Sequence, residues 1–522
     1  VFDFVEMSDP LTAVEIHDET GWWRVAVDLL RLAVPNALRM LLLLANEMVN
    51  TVILAQSSTN PAVVSAVGLG NMMQNVFGLS IGIGLLSAFD TLVSQAFGAG
   101  DHRTCVIVLQ RGRVIATAQL LWIVPVLLFS RELLVALGQD HEVAQFASDY
   151  NRAALFGVAM LFQFTAFQCF LQNRSQPMPA LIVTGVTCAL HPVWCYTFVV
   201  IFGWGNTGCG LANTMTWTIQ FCMILVYVLL SAPPPDTSRW ELVGVSRMAF
   251  KQWRPYLQVG IPATIQMCGE WWFWEITALV VGLLGTVPLA AHVSTINVVT
   301  MAFMPTIGIS GSVATSVGQA VGRRYKVIAL RSLVAGVVLN AAVIITISVV
   351  LLIFRDFVAR AYSTDETTRK KTAELLATYL VFVGIFDSTQ NVLGGACRGL
   401  GLQEIGARVY LVTFYLFMLP LGVLLAFPVH LGVEGVYFGM SAGCAVCLLG
   451  MLWVLRRSSF DAAIAAADER QACGEELGAP GTPPVGRVHP WGSPATTPTN
   501  RRGLSPGVVL QGGGTSMQGV SA

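Results

Sequence analysis

Long apolar stretches separated by short polar segments fill the chain from about residue 30 to about residue 456. Each stretch holds about 20 or more mostly apolar residues, enough for an α-helix to cross a hydrocarbon core of about 30 Å. Strands of a membrane barrel would instead alternate in polarity over about ten residues, so helices are the predicted spanning element. The pattern predicts twelve spans, near residues 32–55, 62–92, 105–129, 150–172, 177–201, 209–231, 257–284, 287–318, 328–353, 374–397, 407–428 and 432–455.

The composition supports the same class of protein. Hydrophobic residues make up 54% of the 522 residues and charged residues 11%, and the mean hydropathy is +0.66. These values lie far from those of a soluble globular domain. We therefore expect an all-α, multi-pass integral membrane protein, embedded in lipid and without a nucleic-acid partner.

Basic residues decide the predicted orientation. The short loops around Ser57, Gly205, Gly285 and His430 carry no Lys or Arg, whereas the loops on the opposite side are basic. Because basic loops stay in the cytoplasm, both termini are predicted to be cytoplasmic. The loop 355–371 is the exception, since it would lie outside with five basic residues among several acidic ones.

The second half of the chain repeats the first at an offset of 224 residues. The segment Thr91–Gly98 matches Thr315–Gly322 at five of eight positions, and Arg174 matches Arg398 at the same offset. Near spans 1 and 7 the offset becomes 227, where Pro35 corresponds to Pro262. Chance agreement between helices rich in small residues is the alternative explanation. Six helices per half place both halves in the same orientation, as two pseudo-symmetric lobes with a cavity between them.

This organisation divides the chain into five predicted segments. They are an N-terminal cytoplasmic segment (1–27), an N-lobe of helices 1–6 (28–231), a cytoplasmic linker (232–256), a C-lobe of helices 7–12 (257–456) and a disordered cytoplasmic tail (457–522). The tail is assigned from its content of Gly, Pro, Ser and Thr.

Carboxylates within the predicted spans are the candidate functional groups. Glu270 and Glu275 interrupt the apolar span 7, and Asp387 lies near the middle of span 10. An acid at this depth costs about 2.5 to 3.5 kcal/mol on insertion scales, so it marks ion, proton or substrate handling. Glu275 lies about 140° around the helix from Glu270, so the two cannot share one face. We assign the coupling role to Glu270 and Asp387, with Glu275 as a neighbour.

A purely structural role is the alternative for each acid, through a hydrogen bond to a polar residue on the next helix. Two further acids lie in apolar stretches of the N-lobe. Glu47 is a possible first-half coupling site, and Asp90, near the inner end of span 2, is expected to be a local hydrogen-bond partner. His191 and His292 also fall within spans, and we expect them to be hydrogen-bonded packing residues.

Three tryptophans accompany Glu270 in span 7. Trp271 and Trp274 are three residues apart and can share one helix face. Tryptophan commonly anchors helices at membrane interfaces, but these residues lie at mid-span. Since aromatic faces attract organic cations, this pairing favours flat cationic or aromatic substrates. In span 8, Pro305 removes a backbone hydrogen bond and is predicted to bend that helix.

Several chemistries find no support in the sequence. None of the four lysines follows a glycine, as a Walker A loop requires, so transport is expected to depend on an ion gradient. The cysteines are scattered through the spans as packing residues, and no cofactor or metal is expected. The leading hypothesis is a cation-coupled exporter, not an enzyme. The alternatives are a lipid-linked or amphiphile flippase, which needs a basic cavity, and a membrane enzyme that uses Glu270 and Asp387 as acid and base.

The Glu-Trp-Trp-x-x-Glu run at 270–275, the mid-span acid in Phe386-Asp387, the segment from Ala88 to Gly100 and the doubled six-helix architecture resemble the multidrug and toxic compound extrusion (MATE) family. The resemblance is closest to its eukaryotic branch and covers roughly residues 28–456.

This resemblance implies a V-shaped pair of six-helix lobes that alternates access and exports organic cations or secondary metabolites in exchange for protons. It also implies that Glu270, Glu275 and Asp387 handle protons and substrate, and that Asn75 lines the cavity. Asp387 is shorter than the Glu of the animal transporters, and Met40 replaces a polar residue found in some of them. The choice of substrate, of H⁺ or Na⁺ and of plasma or vacuolar membrane stays open at this point. One chain suffices to form the cavity, so a monomer is expected.

Overall fold

Twelve long helices make up most of the protein in the computed structural model, which describes residues 21–58, 60–362 and 365–475. No strand occurs among these described residues. The long helices are α1 Trp22–Ser57, α2 Ala62–Gly98, α3 His102–Leu128, α4 His141–Asn173, α5 Met178–Ile201, α6 Gly205–Leu230, α7 Trp253–Gly282, α8 Thr286–Gly322, α9 Lys326–Ile353, α10 Glu366–Leu400, α11 Gln403–Ala426 and α12 Gly432–Arg457. A further helix, α13, follows at Phe460–Glu475, and short helical turns lie at Ser130–Ala136, Arg239–Val243, Arg247–Phe250 and Arg355–Tyr362.

Eleven of these helices are long and apolar enough to cross a membrane. The twelfth, α7, has a sufficient length of 30 residues, but it carries Glu270, Glu275 and four tryptophans. Every predicted span coincides with one long helix. The helices extend past the predicted ends, as in α1, which begins at Trp22, because hydropathy detects only the apolar part of each helix.

Apolar residues form two main cores. One buried cluster draws on α2, α3, α4 and the adjoining helices of the first half and also includes Tyr256 and Val259 near the start of α7. The second draws on the rest of α7 and on α8, α10, α11 and α12. A third cluster lies where the halves meet and joins Leu29 and Ala33 of α1 to Ile309, Val313 and Val317 of α8. The chain therefore folds as two six-helix lobes, α1–α6 and α7–α12, with α8 at their contact.

The lobes pack closely at the face where α2 ends and α8 ends. A β-carbon built on Gly98 would lie 2.2 Å from the carbonyl oxygen of Gln319, and one built on Gly322 would lie 2.0 Å from that of Gln95. Only glycine fits at such separations. The two contacts are related by the 224-residue offset, so the lobes meet through equivalent surfaces, as a pseudo-two-fold axis requires.

Four of the helices contain one turn of π-helix, at Asn75–Leu79 in α2, Thr197–Ile201 in α5, Tyr379–Val383 in α10 and Val412–Met418 in α11. Such turns insert an extra residue and frequently occur at functional sites. One candidate position is involved directly, since Asn75 begins the turn in α2. Tyr379 begins the turn in α10.

The segment 457–522 was predicted to be disordered, and this prediction is wrong for Phe460–Glu475, which form α13. Phe460, Ala463 and Ala467 lie along one face and are buried against the cluster at the lobe contact. The Gly- and Pro-rich composition begins only after this amphipathic stretch, and the prediction extended it too far toward the N-terminus. Residues 476–522 and the N-terminal residues 1–20 lie outside the described residues.

Ion pairs partly neutralise the loop 355–371, whose basic residues did not fit the predicted orientation. Lys370 pairs with Glu366 at 2.7 Å, and Lys371 pairs with Glu374 at 3.5 Å and with Glu434 at the start of α12. Part of the positive charge of the loop is therefore neutralised locally.

Candidate functional site

Asp387 lies inside the C-lobe, where three side chains donate to its carboxylate. It is 2% exposed, the Tyr379 hydroxyl donates to Oδ2 at 2.8 Å and the Gln390 amide donates to Oδ1 at 3.2 Å. The thiol of Cys444 on α12 donates to Oδ1 at 3.8 Å. Tyr379, Asp387 and Gln390 all belong to α10, eight and three residues apart. One helix thus supplies both the acid and two of its donors.

Glu270 on α7 lies beside this acid. The Asn391 amide donates to Glu270 Oε1 at 3.3 Å. Asn391 is four residues after Asp387 on α10, so the two occupy one face, one turn apart. Glu270 therefore faces the α10 surface that carries Asp387. We name Glu270, Tyr379, Asp387, Gln390 and Asn391 the carboxylate cluster.

Glu275 does not join the carboxylate cluster. It is half-buried on α7, five residues beyond Glu270, and it makes no hydrogen bond or ion pair within the part of the chain that the structure describes. Its position agrees with the helical geometry, which turns its side chain away from that of Glu270.

The tryptophans near Glu270 on α7 lie in different environments. The Trp274 ring lies 6.4 Å from the Tyr379 ring and 5.8 Å from that of Phe273, between centroids, which places it beside the carboxylate cluster. Trp271 is half-buried. Trp272, which the sequence did not single out as a site residue, donates from Nε1 to the carbonyl oxygen of Val76 on α2 at 3.2 Å.

The Trp272 bond crosses from one lobe to the other and locates Asn75. Asn75 is half-buried in the π-helical turn of α2, directly before Val76. The predicted cavity residue therefore lies where α2 and α7 face each other. Pro305 is buried within α8, whose helix is continuous through it, and one turn later a β-carbon on Gly308 would lie 2.4 Å from the backbone nitrogen of Ala37.

Sequence reasoning missed three of the five cluster residues, namely Tyr379, Gln390 and Asn391. Gln390 and Asn391 follow Asp387 by three and four residues, the spacing at which helical side chains are neighbours. A polar residue at those positions is a signal that a helical projection of span 10 would have shown. Tyr379 lies eight residues before Asp387, and the π-helical turn between them adjusts its alignment.

Asp90 was expected to be a local hydrogen-bond partner; it is hydrogen-bonded, but its side-chain partners lie on other helices, and one of them lies in the other lobe. Its Oδ2 forms an ion pair with Arg398 Nε of the other lobe at 3.1 Å, while Asn173 Nδ2 donates to Oδ1 at 3.1 Å. Arg398 also donates to Ser310 Oγ at 3.1 Å, and the Thr315 hydroxyl donates to Asn173 Oδ1 at 3.0 Å. We name Asp90, Asn173, Ser310, Thr315 and Arg398 the closing cluster, since it ties the lobes together at their tight face.

Two glutamines at equivalent positions in the two lobes add further hydrogen bonds between the lobes. Gln95 Nε2 donates to the carbonyl oxygen of Gly399 at 2.9 Å, and Gln319 Nε2 donates to that of Asn173 and to Ser175 Oγ, also at 2.9 Å. Gln95 and Gln319 differ by 224 residues, as do Ser175 and Gly399. The hydrogen bonds thus follow the pseudo-symmetry seen in the glycine contacts.

The remaining candidates lie apart from both clusters. His191 bonds Thr216 at 2.7 Å and Asn50 at 3.0 Å, and His292 bonds the Tyr437 hydroxyl at 3.0 Å, so both histidines are hydrogen-bonded within their own lobes. The Glu47 side chain is exposed on α1. In residues 21–58, 60–362 and 365–475, no three His, Cys, Asp or Glu side chains are grouped as a metal site.

Two six-helix lobes closed against each other at one face, with carboxylates held at mid-helix, are the architecture of a membrane transporter.

The comparisons with known proteins agree with this class. The MatE family model matches residues 35–197 and again residues 262–424, one match in each lobe and in register with the 227-residue offset. The chain belongs to the MatE family.

Two relatives are each 30% identical. They are multidrug and toxin extrusion protein 1 of Oryctolagus cuniculus, over 81% of this chain and 74% of that protein, and protein DETOXIFICATION 16 of Arabidopsis thaliana, over 74% and 79%. The crystal structure of the eukaryotic MATE transporter AtDTX14 superposes with a TM-score of 0.80 at 21% identity, over 86% of this chain and 99% of that one. The predicted eukaryotic-type membership and the twelve-helix, V-shaped fold are confirmed.

Proposed function

We propose that the protein is a secondary antiporter that exports organic cations, drugs or secondary metabolites in exchange for protons by alternating access. The observation that carries this proposal is the carboxylate cluster, which holds Glu270 and Asp387 together inside one lobe. No Lys, Arg or His of the described residues pairs with either acid.

An ionised carboxylate inside the membrane needs a compensating positive charge. Where no protein cation supplies it, a proton or a cationic substrate can do so. Two ligands that neutralise the same carboxylates compete for them, and such competition is what couples the export of one to the import of the other. The cluster therefore suits an exchange of a cation for protons.

Aromatic side chains next to the acids fit the same class of substrate. Trp274 and Tyr379 lie 6.4 Å apart beside Asp387, and aromatic faces stabilise a desolvated cation by about 2 kcal/mol. Two of the matching relatives are named multidrug and toxin extrusion protein 2 and protein 1. An acidic, aromatic surface does not suit the anionic head groups that a lipid-linked flippase would bind.

The direction of opening follows from the closing cluster. It ties the lobes together at the face that carries Arg103, Arg174 and Arg323, the face predicted to be cytoplasmic. We assign this structure to the state closed toward the cytoplasm. Both lobes belong to one chain, so a monomer completes the cavity.

The test is uptake of a fluorescent organic cation by proteoliposomes with an imposed pH gradient. Native protein should accumulate the cation in response to the gradient, and Glu270→Gln or Asp387→Asn should reduce the initial rate by at least about tenfold, since each removes a charge from the site. Glu404→Gln, which alters an exposed acid paired with Arg408, is the matched control.

Uptake that follows an imposed sodium gradient and ignores pH would show that Na⁺ is the coupling ion. Uptake that survives both substitutions would place coupling outside the C-lobe and overturn the proposal, with Glu47 the next residue to test.

A further inference from the structure

The linker between the lobes is fixed to the surface of the N-lobe at residues 239–251. Gln110 of α3 donates from Nε2 to the carbonyl oxygen of Glu241 at 2.5 Å and accepts from the Ser246 backbone nitrogen at 3.0 Å. Leu242, between these two contacts, is 3% exposed and belongs to the buried cluster of the N-lobe. The linker therefore presents its remaining side chains from a main chain whose position is already set.

Arg113, about one turn farther along α3, shows the depth at which the linker lies. Its Nη1 donates to the carbonyl oxygen of Val243 at 2.6 Å. No charged residue follows it in α3, and the run from Val114 to Leu128 is about 22 Å long at about 1.5 Å per residue. Arg113 thus stands where the polar end of the helix meets its membrane-spanning part. The linker lies at that boundary, at the level of the lipid headgroups on the side predicted to be cytoplasmic.

Three apolar side chains of the linker are exposed at this level. Trp240 is 78% exposed, Phe250 63% and Val245 48%. The Trp240 ring takes part in no ring contact and no cation–π contact among the described residues. Tryptophan favours the interface between the hydrocarbon core and water, where its ring packs among the headgroups and its N–H stays hydrated. These exposed side chains therefore suit contact with lipid.

The same part of the linker is basic. Arg239, Arg247 and Lys251 are exposed, and none of them forms an ion pair within the part of the chain that the structure describes. Glu241 is the one acid in this stretch, and its carboxylate accepts from the backbone nitrogen of Ser238 at 3.2 Å. The protein therefore leaves the three cations free to attract negative charge from outside.

We propose that this part of the linker binds anionic lipid headgroups of the leaflet that faces the cytoplasm. Its exposed residues form what we name the linker surface, which comprises Arg239, Trp240, Val245, Arg247, Phe250 and Lys251. Guanidinium and ammonium groups pair with the phosphate and carboxylate of a lipid such as phosphatidylserine, while the apolar side chains enter the layer beneath. Because the main chain is fixed before binding, little ordering cost opposes the contact. The inference does not depend on the proposed export function.

Residues 1–20 of the chain are another source of negative charge, since they contain six acids and no Lys or Arg. Charge attraction alone would suit such a segment as well as a lipid. The exposed aromatic side chains at the depth of the headgroups favour the lipid. The experiment separates the two occupants.

Photo-crosslinking of the full chain tests the proposal. Val245 is replaced by p-benzoylphenylalanine, and the protein is reconstituted into nanodiscs with equal amounts of phosphatidylserine and phosphatidylcholine that carry identical acyl chains. Mass spectrometry after irradiation measures the ratio of the two crosslinked lipids. We expect phosphatidylserine to be captured at least about threefold more often, because basic residues near a membrane surface attract anionic lipids.

Removal of the three cations together, by Arg239→Gln, Arg247→Gln and Lys251→Gln, should return this ratio to about one. Arg239→Lys with Arg247→Lys keeps the charge and should keep the preference. The same probe at Leu121, which is 83% exposed at mid-helix in α3, is the matched control and should capture both lipids equally. An unchanged thermal unfolding temperature in the variant without the three cations would show that its fold is intact.

Equal capture of the two lipids by the probe at residue 245 would overturn the proposal. A crosslink to residues 1–20 would also overturn it and would make that segment the occupant. The absence of any lipid crosslink would place the linker surface in water. A preference for phosphatidylserine that persists without the three cations would show that they do not select the lipid, and the assignment would again be wrong.

Discussion

Tyr379 donates the shortest hydrogen bond to Asp387, at 2.8 Å, and also contacts the ring of Trp274. Tyr379→Phe keeps the ring and removes the donor. A buried hydrogen bond to a charged group is worth about 1.5 to 3 kcal/mol, so we expect the transport rate to fall by about tenfold or more. The initial rate of cation uptake in proteoliposomes measures this effect.

Tyr437→Phe provides the comparison for this variant. Tyr437 is a buried tyrosine of the same lobe whose hydroxyl bonds His292 and no acid. Its loss should leave the uptake rate within about twofold. Equal rates for the two variants would show that the bond to Asp387 has no part in transport.

At this scale the sequence predicts charges better than it predicts their partners. Glu270 and Asp387 are evident because a carboxylate in an apolar span is unfavourable without a use. Asn391 and Gln390 could have been found from their spacing, but Tyr379 could not, because its alignment depends on a π-helical turn that hydropathy does not reveal. Arg398 was assigned to a loop, and its pairing with Asp90 depends on how the lobes meet.

In α10, the π-helical turn Tyr379–Val383 aligns the Tyr379 hydroxyl with Asp387. Deletion of Val381, which is 52% exposed, should convert this turn to α-helix and rotate Tyr379 about 100° away from Asp387. We expect uptake to fall at least as far as in Tyr379→Phe. Uptake at the native rate in the deletion variant would contradict this role of the turn.

The helix α13 contributes a packing contact at the tight face. Phe460 is 6% exposed there, Arg324 pairs with Asp468 at 2.7 Å, and Arg470 donates to Gln95 Oε1 at 2.9 Å. Loss of a buried Phe side chain costs about 3 to 5 kcal/mol, so Phe460→Ala should lower the thermal unfolding temperature by several degrees. Asp461→Ala, at an exposed position of the same helix, should not.

An unchanged unfolding temperature for Phe460→Ala would mean that α13 adds nothing to stability.

The helix α13 also shows why composition alone gave a wrong prediction for this segment. Its apolar face consists mainly of alanine, which gives little hydropathy signal. The membrane spans could be predicted because a run of about 20 apolar residues is typical of a transmembrane helix.

For the molecule as a whole, we expect the closing cluster to set the balance between the closed and open states of the proposed transport cycle. Asp90→Asn removes the charge that Arg398 pairs with, and breaking a buried ion pair costs about 3 to 5 kcal/mol. We expect the population to move toward states in which the tight face is open. Spin labels at Arg103 and Arg323, exposed positions in different lobes, should report longer distances by double electron–electron resonance.

Asp90→Glu, which keeps the charge, should shift the distances less than Asp90→Asn. Distance distributions that match the native protein in both variants would show that the ion pair does not hold the face closed.

The tie between the lobes also bears on how two copies of one ancestral half could diverge. Gln95 and Gln319 bond main-chain oxygens of the opposite lobe, at Gly399 and Asn173. Those acceptors belong to the main chain, so these two hydrogen bonds do not depend on which side chains the acceptor residues carry. At the position equivalent to Asp90, the second copy has Ala314. A duplicated protein whose halves are joined in this way can thus lose a charge in one copy, keep it in the other, and still bring both halves together.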